Sequence, residues 1–180
     1  MKAFPIYRTG IGQYSHRFLS PDSSKPCVIG GLIFEDVPGL DAESDGDVVH
    51  LALCNAISSL SGVPILSTIA IDLCRKDGIT DSQVYVARAL ETLGGAGDGA
   101  GQQIVHVAIA IEGKRPHVER WIEPMRAKVA ETLGLSVAEV GITAISGEGL
   151  TDFGCGDGLH ATCVVTTVQM GVRGSPFGLM

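Results

Sequence analysis

The sequence predicts an α+β fold, a sheet with helices packed on one face around a ferredoxin-like βαβ core. Two observations carry that expectation. After residue 100 the chain runs strand, helix, strand, glycine-rich loop, strand, an alternation that places helices against a sheet. The 180 residues contain no internal repeat and no shift of composition, which fits one domain over 1–172 followed by a tail at 173–180.

The elements follow in order. Residues 7–12 are short and extended and end in glycines. Residues 26–34 (PCVIGGLIF) read as a strand interrupted at Gly30-Gly31, and 35–43 as a largely polar loop. A helix is expected over 45–60. Asp45 or Asp47 can cap it, Ser61-Gly62 can end it, and its apolar positions 49, 53, 56, 57 and 60 keep helical spacing. Residues 64–73 are apolar without a decisive period. Thr80-Asp81 caps a second helix over 82–93, and the glycines of 94–101 form a surface loop. That loop lacks the lysine of a phosphate-binding loop and the strand-to-helix context such a loop needs. Residues 104–111 (IVHVAIAI) are a strand, and 118–133 a helix with Trp121, Ile122, Met125, Val129 and Leu133 on one side. Ser136 caps a short turn through Glu139, 140–145 is a strand, 146–158 a glycine-rich loop, and 159–170 a long closing strand.

Composition narrows the function. The chain is 45% hydrophobic and only 18% charged, which suggests surface buried between subunits. Its net charge of -7 argues against a nucleic-acid partner, which would need a basic surface. No apolar run reaches the roughly 20 residues that span a bilayer, and the first residues lack the apolar core of a signal peptide. No membrane partner is expected. Five cysteines without CxxC spacing read as reduced, mostly buried thiols of a cytoplasmic protein, not as a zinc finger.

The chemistry concentrates in Glu43-Ser44-Asp45-Gly46-Asp47-Val48-Val49-His50. Three carboxylates and a histidine in eight residues are costly to assemble unless a cation neutralises them, which points to a divalent metal and a phosphate-bearing ligand. Helix capping by Asp45 and Asp47 is the alternative reading. Asp47, His50 and Cys54 share a helix face, so His50 either faces a metal or makes a buried polar contact. His106 and His160 fall in strand patterns and read as structural.

Three segments then line up. They are Gly10-Ile11-Gly12-Gln13-Tyr14-Ser15-His16, then Ser44-Asp45-Gly46-Asp47-Val48-Val49, then Ser146-Gly147-Glu148-Gly149-Leu150 with Phe153-Gly154-Cys155-Gly156-Asp157-Gly158. In this order and at these separations the chain resembles the 2-C-methyl-D-erythritol 2,4-cyclodiphosphate synthase family over residues 8–170. Agreement extends to Ile29-Gly30-Gly31, to GITDS at 78–82, and to Lys114-Arg115-Pro116 leading to Pro124-Met125-Arg126.

The resemblance implies a homotrimer with sites between subunits, in the non-mevalonate isoprenoid pathway. It implies a zinc ion and a second divalent ion, magnesium or manganese, that hold the diphosphate of a cytidine-diphosphate-linked methylerythritol phosphate. The 2-phosphate attacks the β-phosphorus and cytidine monophosphate (CMP) leaves, a phosphoryl transfer driven by positioning and charge neutralisation. Carried over by position, Ser146, Glu148 and Asp45 are the catalytic candidates. Glu43, Ser44, Asp45 and Gly46 meet the substrate, and Gly113, Arg115, Pro116, His117, Ile145 and Ser146 form the cytidine pocket. His16, His50 and Glu148 are the metal candidates.

The same resemblance marks departures. The family's zinc pair is D-x-H, which here is Tyr14-Ser15-His16, and its third ligand position is Leu51, with His50 one residue earlier. One residue turns a helical side chain by about 100°. Glu43 stands where many members carry a histidine, His117 where a lysine would meet phosphate, and Cys155 where some have an arginine near the threefold axis. The pattern also fits a trimeric homologue that binds a nucleotide or isoprenoid diphosphate without turnover.

Overall fold

The computed structural model describes residues 3–94 and 101–172. The expected tail at 173–180 and most of the loop at 94–101 lie outside the described residues. Strand β1 (Ala3–Arg17) leads into a small hairpin, β2 (Cys27–Ile29) and β3 (Leu32–Phe34). Helices α1 (Val48–Ser61), α2 (Ala70–Asp77) and α3 (Ser82–Glu91) follow, with a π-helical turn over Ile65–Ile69. Then come β4 (Gln103–Glu112), α4 (Ile122–Leu133), β5 (Val140–Ile145), the short α5 (Asp152–Cys155) and β6 (Gly158–Val172).

The main sheet has the order β1-β6-β4-β5. Only β4 and β5 are parallel, joined through α4 as a β-α-β unit, and the other pairs are antiparallel. Alternate side chains of β4, β5 and β6 are buried, including Val107, Ile109, Ile111, Val140, Ile142, Leu159, Ala161, Cys163 and Val165. These meet Val49, Leu53, Ala56 and Ile57 of α1 in one apolar cluster with Met125 and Val129 of α4. Period-two burial in the strands and period-3.6 burial in the helices are what fix the register.

Several elements differ from the sequence expectation. The extended segment at 7–12 is the middle of a fifteen-residue strand, because all of Ala3–Arg17 finds partners on β6. Its glycines do not end it. A Cβ on Gly12 would lie 2.3 Å from the Ala52 carbonyl and the Ala56 amide, so glycine lets β1 lie against the backbone of α1. The strand expected at 26–34 is two, folded back at Gly30 (φ 59°) and Gly31 (φ 75°), the positive φ pair that a tight hairpin turn requires. Residues 64–73 become the π-helical turn and the start of α2. The loop at 146–158 carries α5, capped by Thr151 accepting from the Gly154 amide.

Candidate functional site

Asp47, not Asp45, caps α1. Its Oδ1 accepts from the amides of Val49 (3.0 Å), His50 (3.3 Å) and Gly30 (2.9 Å), and its Oδ2 from the Gly31 amide and His50 Nδ1, both at 2.6 Å. One carboxylate thereby joins the helix to the Gly30-Gly31 turn. Both side chains are fully buried. Burial pushes the Asp47 carboxyl up, but the His50 charge and its hydrogen bond, with the Gly30 and Gly31 amides, hold it below its ordinary value. Burial likewise pushes His50 down, and the Asp47 carboxylate overrides it, holding the imidazole above its ordinary value. His50 Nε2 is buried with no hydrogen-bond partner.

Asp45 turns toward α3. Its Oδ1 accepts from the Ser82 hydroxyl and the Asp47 amide, and its Oδ2 from the Ser82 amide at 3.1 Å. The segment at 78–82 thus has a mechanical role: it anchors the acidic loop. Lys25, which sequence reasoning missed for want of any signal, holds the loop from the other side. Its Nζ donates to the carbonyls of Leu40 (2.8 Å), Ala42 (2.7 Å) and Ser44 (2.7 Å). Glu43 stays exposed, its two oxygens bound by Arg75 Nε (3.2 Å) and Nη2 (2.6 Å), which hold its carboxyl below the usual range.

Two of the cavities among the described residues gather most of the expected site residues. The first, of about 190 Å³, lies between β1, the acidic loop and the helices. Tyr14, His16, Glu43, Ser44 and Leu51 line it, with Leu66, Ala70, Ile71, Cys74 and Tyr85 closing the apolar side. Positions 14, 16 and 51 thus all line this one cavity. His50 does not join them. It faces the hairpin, where a Cβ on Gly31 would lie 3.2 Å from its Cε1. His16 sits 5.1 Å from Tyr14, ring centroid to centroid. Partial burial, and next the charge of Lys25, hold its imidazole below its ordinary value. Among the described residues, no three His, Cys, Asp or Glu side chains form a group that could hold a metal.

The second cavity, of about 440 Å³, lies between the 113–119 segment and the end of β5. Gly113, Pro116, His117, Ile145 and Ser146 all line it, so five of the six cytidine-pocket candidates converge. Arg115 turns away, its guanidinium 4.6 Å from the Phe18 ring centroid and its Nε donating to the Gly156 carbonyl. Lys114, which falls within the expected 113–118 segment, also lines it; Glu119, Ile122 and Thr143 line it too and were not foreseen, although alternation along β5 places Thr143 on the same face as Ile145. Glycines allow close approach here and in the adjoining loop. Gly113 donates to the Ile145 carbonyl, and Gly147 packs on Gly154, where a Cβ would approach to 2.8 Å. Glu148 is exposed in this loop at φ 49°, and its Oε1 accepts from the Ser146 hydroxyl at 2.8 Å. It lines neither cavity.

The likeness to known proteins covers this same ground. The profile of the YgbB family matches residues 7–168. The 2-C-methyl-D-erythritol 2,4-cyclodiphosphate synthase of Chlamydia felis is 51% identical over 164 residues, 91% of this chain and 90% of that protein. The protein of the same name from Chlamydia muridarum is also 51% identical, over 91% of this chain and 89% of its own. Among solved structures, the bifunctional IspDF from Campylobacter jejuni superposes with a TM-score of 0.80 at 22% identity, over 92% of this chain and 43% of that one. A 2C-methyl-D-erythritol-2,4-cyclodiphosphate synthase in a CDP-bound form superposes at 0.76 and 22% identity, over 89% of this chain and 99% of that one. The two structures show the same fold. Since the matched span runs from β1 through the acidic loop to β6, and the relatives share half their residues with it, the chain belongs to the YgbB family.

Proposed function

We propose that this chain is a 2-C-methyl-D-erythritol 2,4-cyclodiphosphate synthase, a lyase that cyclises a cytidine-diphosphate-linked methylerythritol phosphate and releases CMP. The observation that carries the reading is the second cavity. Gly113, Pro116, His117, Ile145 and Ser146, separated by some thirty residues of sequence, enclose about 440 Å³, within the usual range of small-ligand sites. The naming of relatives 51% identical along 91% of the chain supports the same activity.

The geometry supports a division of labour. The backbone at Gly113 and Ile145 lines the slot for the base, and His117 with Ser146 supplies its polar groups. Glu43 and Ser44 face the substrate from the first cavity. Asp45 acts as a positioning residue, because its oxygens are taken by Ser82 and the Asp47 amide. A magnesium or manganese ion fits Glu148, since such an ion needs only one or two carboxylates plus substrate phosphates, and would supply charge neutralisation on the diphosphate.

The reading includes one working domain over 1–172, a ferredoxin-like core, a cytoplasmic location and a homotrimer. The trimer is supported by apolar side chains left exposed on the sheet: among the described residues Tyr7 and Ile11 on β1 are each 65% exposed and Ile145 on β5 64%, which favours subunit contact. Among the described residues, no helix is long and apolar enough to cross a membrane.

The test is CMP release from the cytidine-linked substrate by the purified chain, with a CMP binding titration on the same sample. Release supports the reading. His117→Glu, which places a like charge in the slot, should weaken CMP by about tenfold, or 1.4 kcal/mol. Tight CMP binding without release would instead indicate a homologue that binds without turnover.

A further inference from the structure

The family resemblance assigns zinc to positions 14, 16 and 51, and the structure allows that assignment to be tested on the donors themselves. The three positions line one cavity. Zinc takes imidazole, thiolate or carboxylate ligands, three or four at a time. In this cavity His16 offers one imidazole, Tyr14 a phenol, and Leu51 no donor at all.

The neighbours do not make up the set. Glu43 is bound through both oxygens to Arg75. The Ser44 carbonyl is held by Lys25. The Cys74 thiol donates to the Glu43 carbonyl at 3.5 Å. The histidine that would complete the site stands one residue early, turned by about 100° into the core. There its Nδ1 is fixed on Asp47 at 2.6 Å, and Asp47 is fixed by four backbone amides. Bringing His50 to the cavity would break the cap of α1 and strand a buried carboxylate.

We infer that this chain holds no zinc at the position its family resemblance assigns, and that the displaced histidine serves as the core partner of Asp47. The cavity is a metal-free one, closed by Leu51 and Tyr14. The inference rests on the proposed function only for where the substrate lies, and its test is read separately from turnover.

The experiment is metal analysis of the purified full chain by mass spectrometry after exposure to zinc. A cobalt titration is followed in the visible region, where tetrahedral cobalt absorbs, and CMP release is measured in parallel. The expected result is far less than one zinc per chain and no tetrahedral cobalt band. The triple variant Tyr14→Asp, His50→Leu, Leu51→His should gain close to one equivalent of either metal. Near-stoichiometric zinc in the unaltered chain that is lost in His16→Ala overturns the inference. Zinc that survives His16→Ala sits elsewhere and leaves it standing. If the triple variant does not fold, the unaltered chain and His16→Ala decide. CMP release without zinc upholds both proposals. CMP release with zinc lost in His16→Ala overturns this one alone. Neither zinc nor release overturns the synthase reading alone.

Discussion

Asp47→Asn is the most discriminating single change in this fold. The amide keeps the shape and one oxygen, so the amides of Gly30, Val49 and His50 keep an acceptor at Oδ1. The loss falls on the Oδ2 side. An NH2 group there meets the Gly31 amide, which is also a donor, and replaces the anion facing His50. The charge-assisted bond to His50 is worth about 1.5–3 kcal/mol, and a stranded amide costs about 1–3 kcal/mol. His50 then sheds its proton and can accept from the new amide, which returns part of the loss. The net is about 3 kcal/mol, at the lower edge of the 3–5 kcal/mol typical of breaking a buried pair. For a chain of this size that lowers Tm by roughly 6–12 °C. Urea unfolding at pH 6 and fixed chain concentration measures it. The pH dependence adds a sign. The Asp47 carboxyl is held below 3.8, so its contribution is present above that value and is lost as pH falls through the folded pKa. His50 is held above 6.5, so its contribution is complete below 6.5 and is lost as pH rises through the folded pKa. The gap between parent and variant should be widest between those two values and shrink in alkaline solution. A loss under about 1 kcal/mol at pH 6 would refute the account of a charged, interlocked pair.

Other changes test the remaining joints. Gly12→Ala forces a Cβ to within 2.3 Å of two backbone atoms of α1 and should cost at least about 2 kcal/mol in the same unfolding assay. Lys25→Met removes the donor shared by three loop carbonyls and should cost about 2 kcal/mol. It should also speed amide exchange across 40–46, seen by mass spectrometry. Burial pushes the thiols of Cys27, Cys54 and Cys163 up to about 12, so a thiol reagent at pH 8 should reach them only after unfolding.

Much of this was legible in the sequence, for identifiable reasons. Strand and helix types followed from burial period, and β4, β5, α1 and α4 stand where the apolar spacing puts them. The length of β1 was not legible, because Thr9, Gln13 and Ser15 lie on the face that helices leave open and so break the apolar signal. The hairpin at 27–34 was hidden in an apolar run, although its Gly-Gly pair was the turn signal. For the site, the cytidine slot was readable because backbone segments build it. Lys25 was invisible, since nothing local marks a lysine whose partners are carbonyls 15 to 19 residues away.

The acidic run shows why charge density alone does not identify a metal centre. Each of its carboxylates has partners within the protein: Glu43 has the Arg75 cation, Asp47 has His50 and four amides, and Asp45 has the Ser82 hydroxyl and two amides. Internal contacts thus take up the oxygens that charge density alone would assign to a cation. Among the described residues, the buried side-chain atom left without a partner is His50 Nε2, which lies in the core and not on the cavity. A fully buried imidazole with an open nitrogen carries a desolvation cost of about 1–3 kcal/mol, which α1 tolerates because the Asp47 contacts offset it. His50→Leu alone should cost about 2–3 kcal/mol, because it strands the buried Asp47 carboxylate while removing the unsatisfied Nε2. Asp47→Asn in that background should cost less than in the parent, since no imidazole remains to lose its partner. If the two changes simply add, the histidine and the carboxylate are not coupled, and the displaced residue is a passenger in the core.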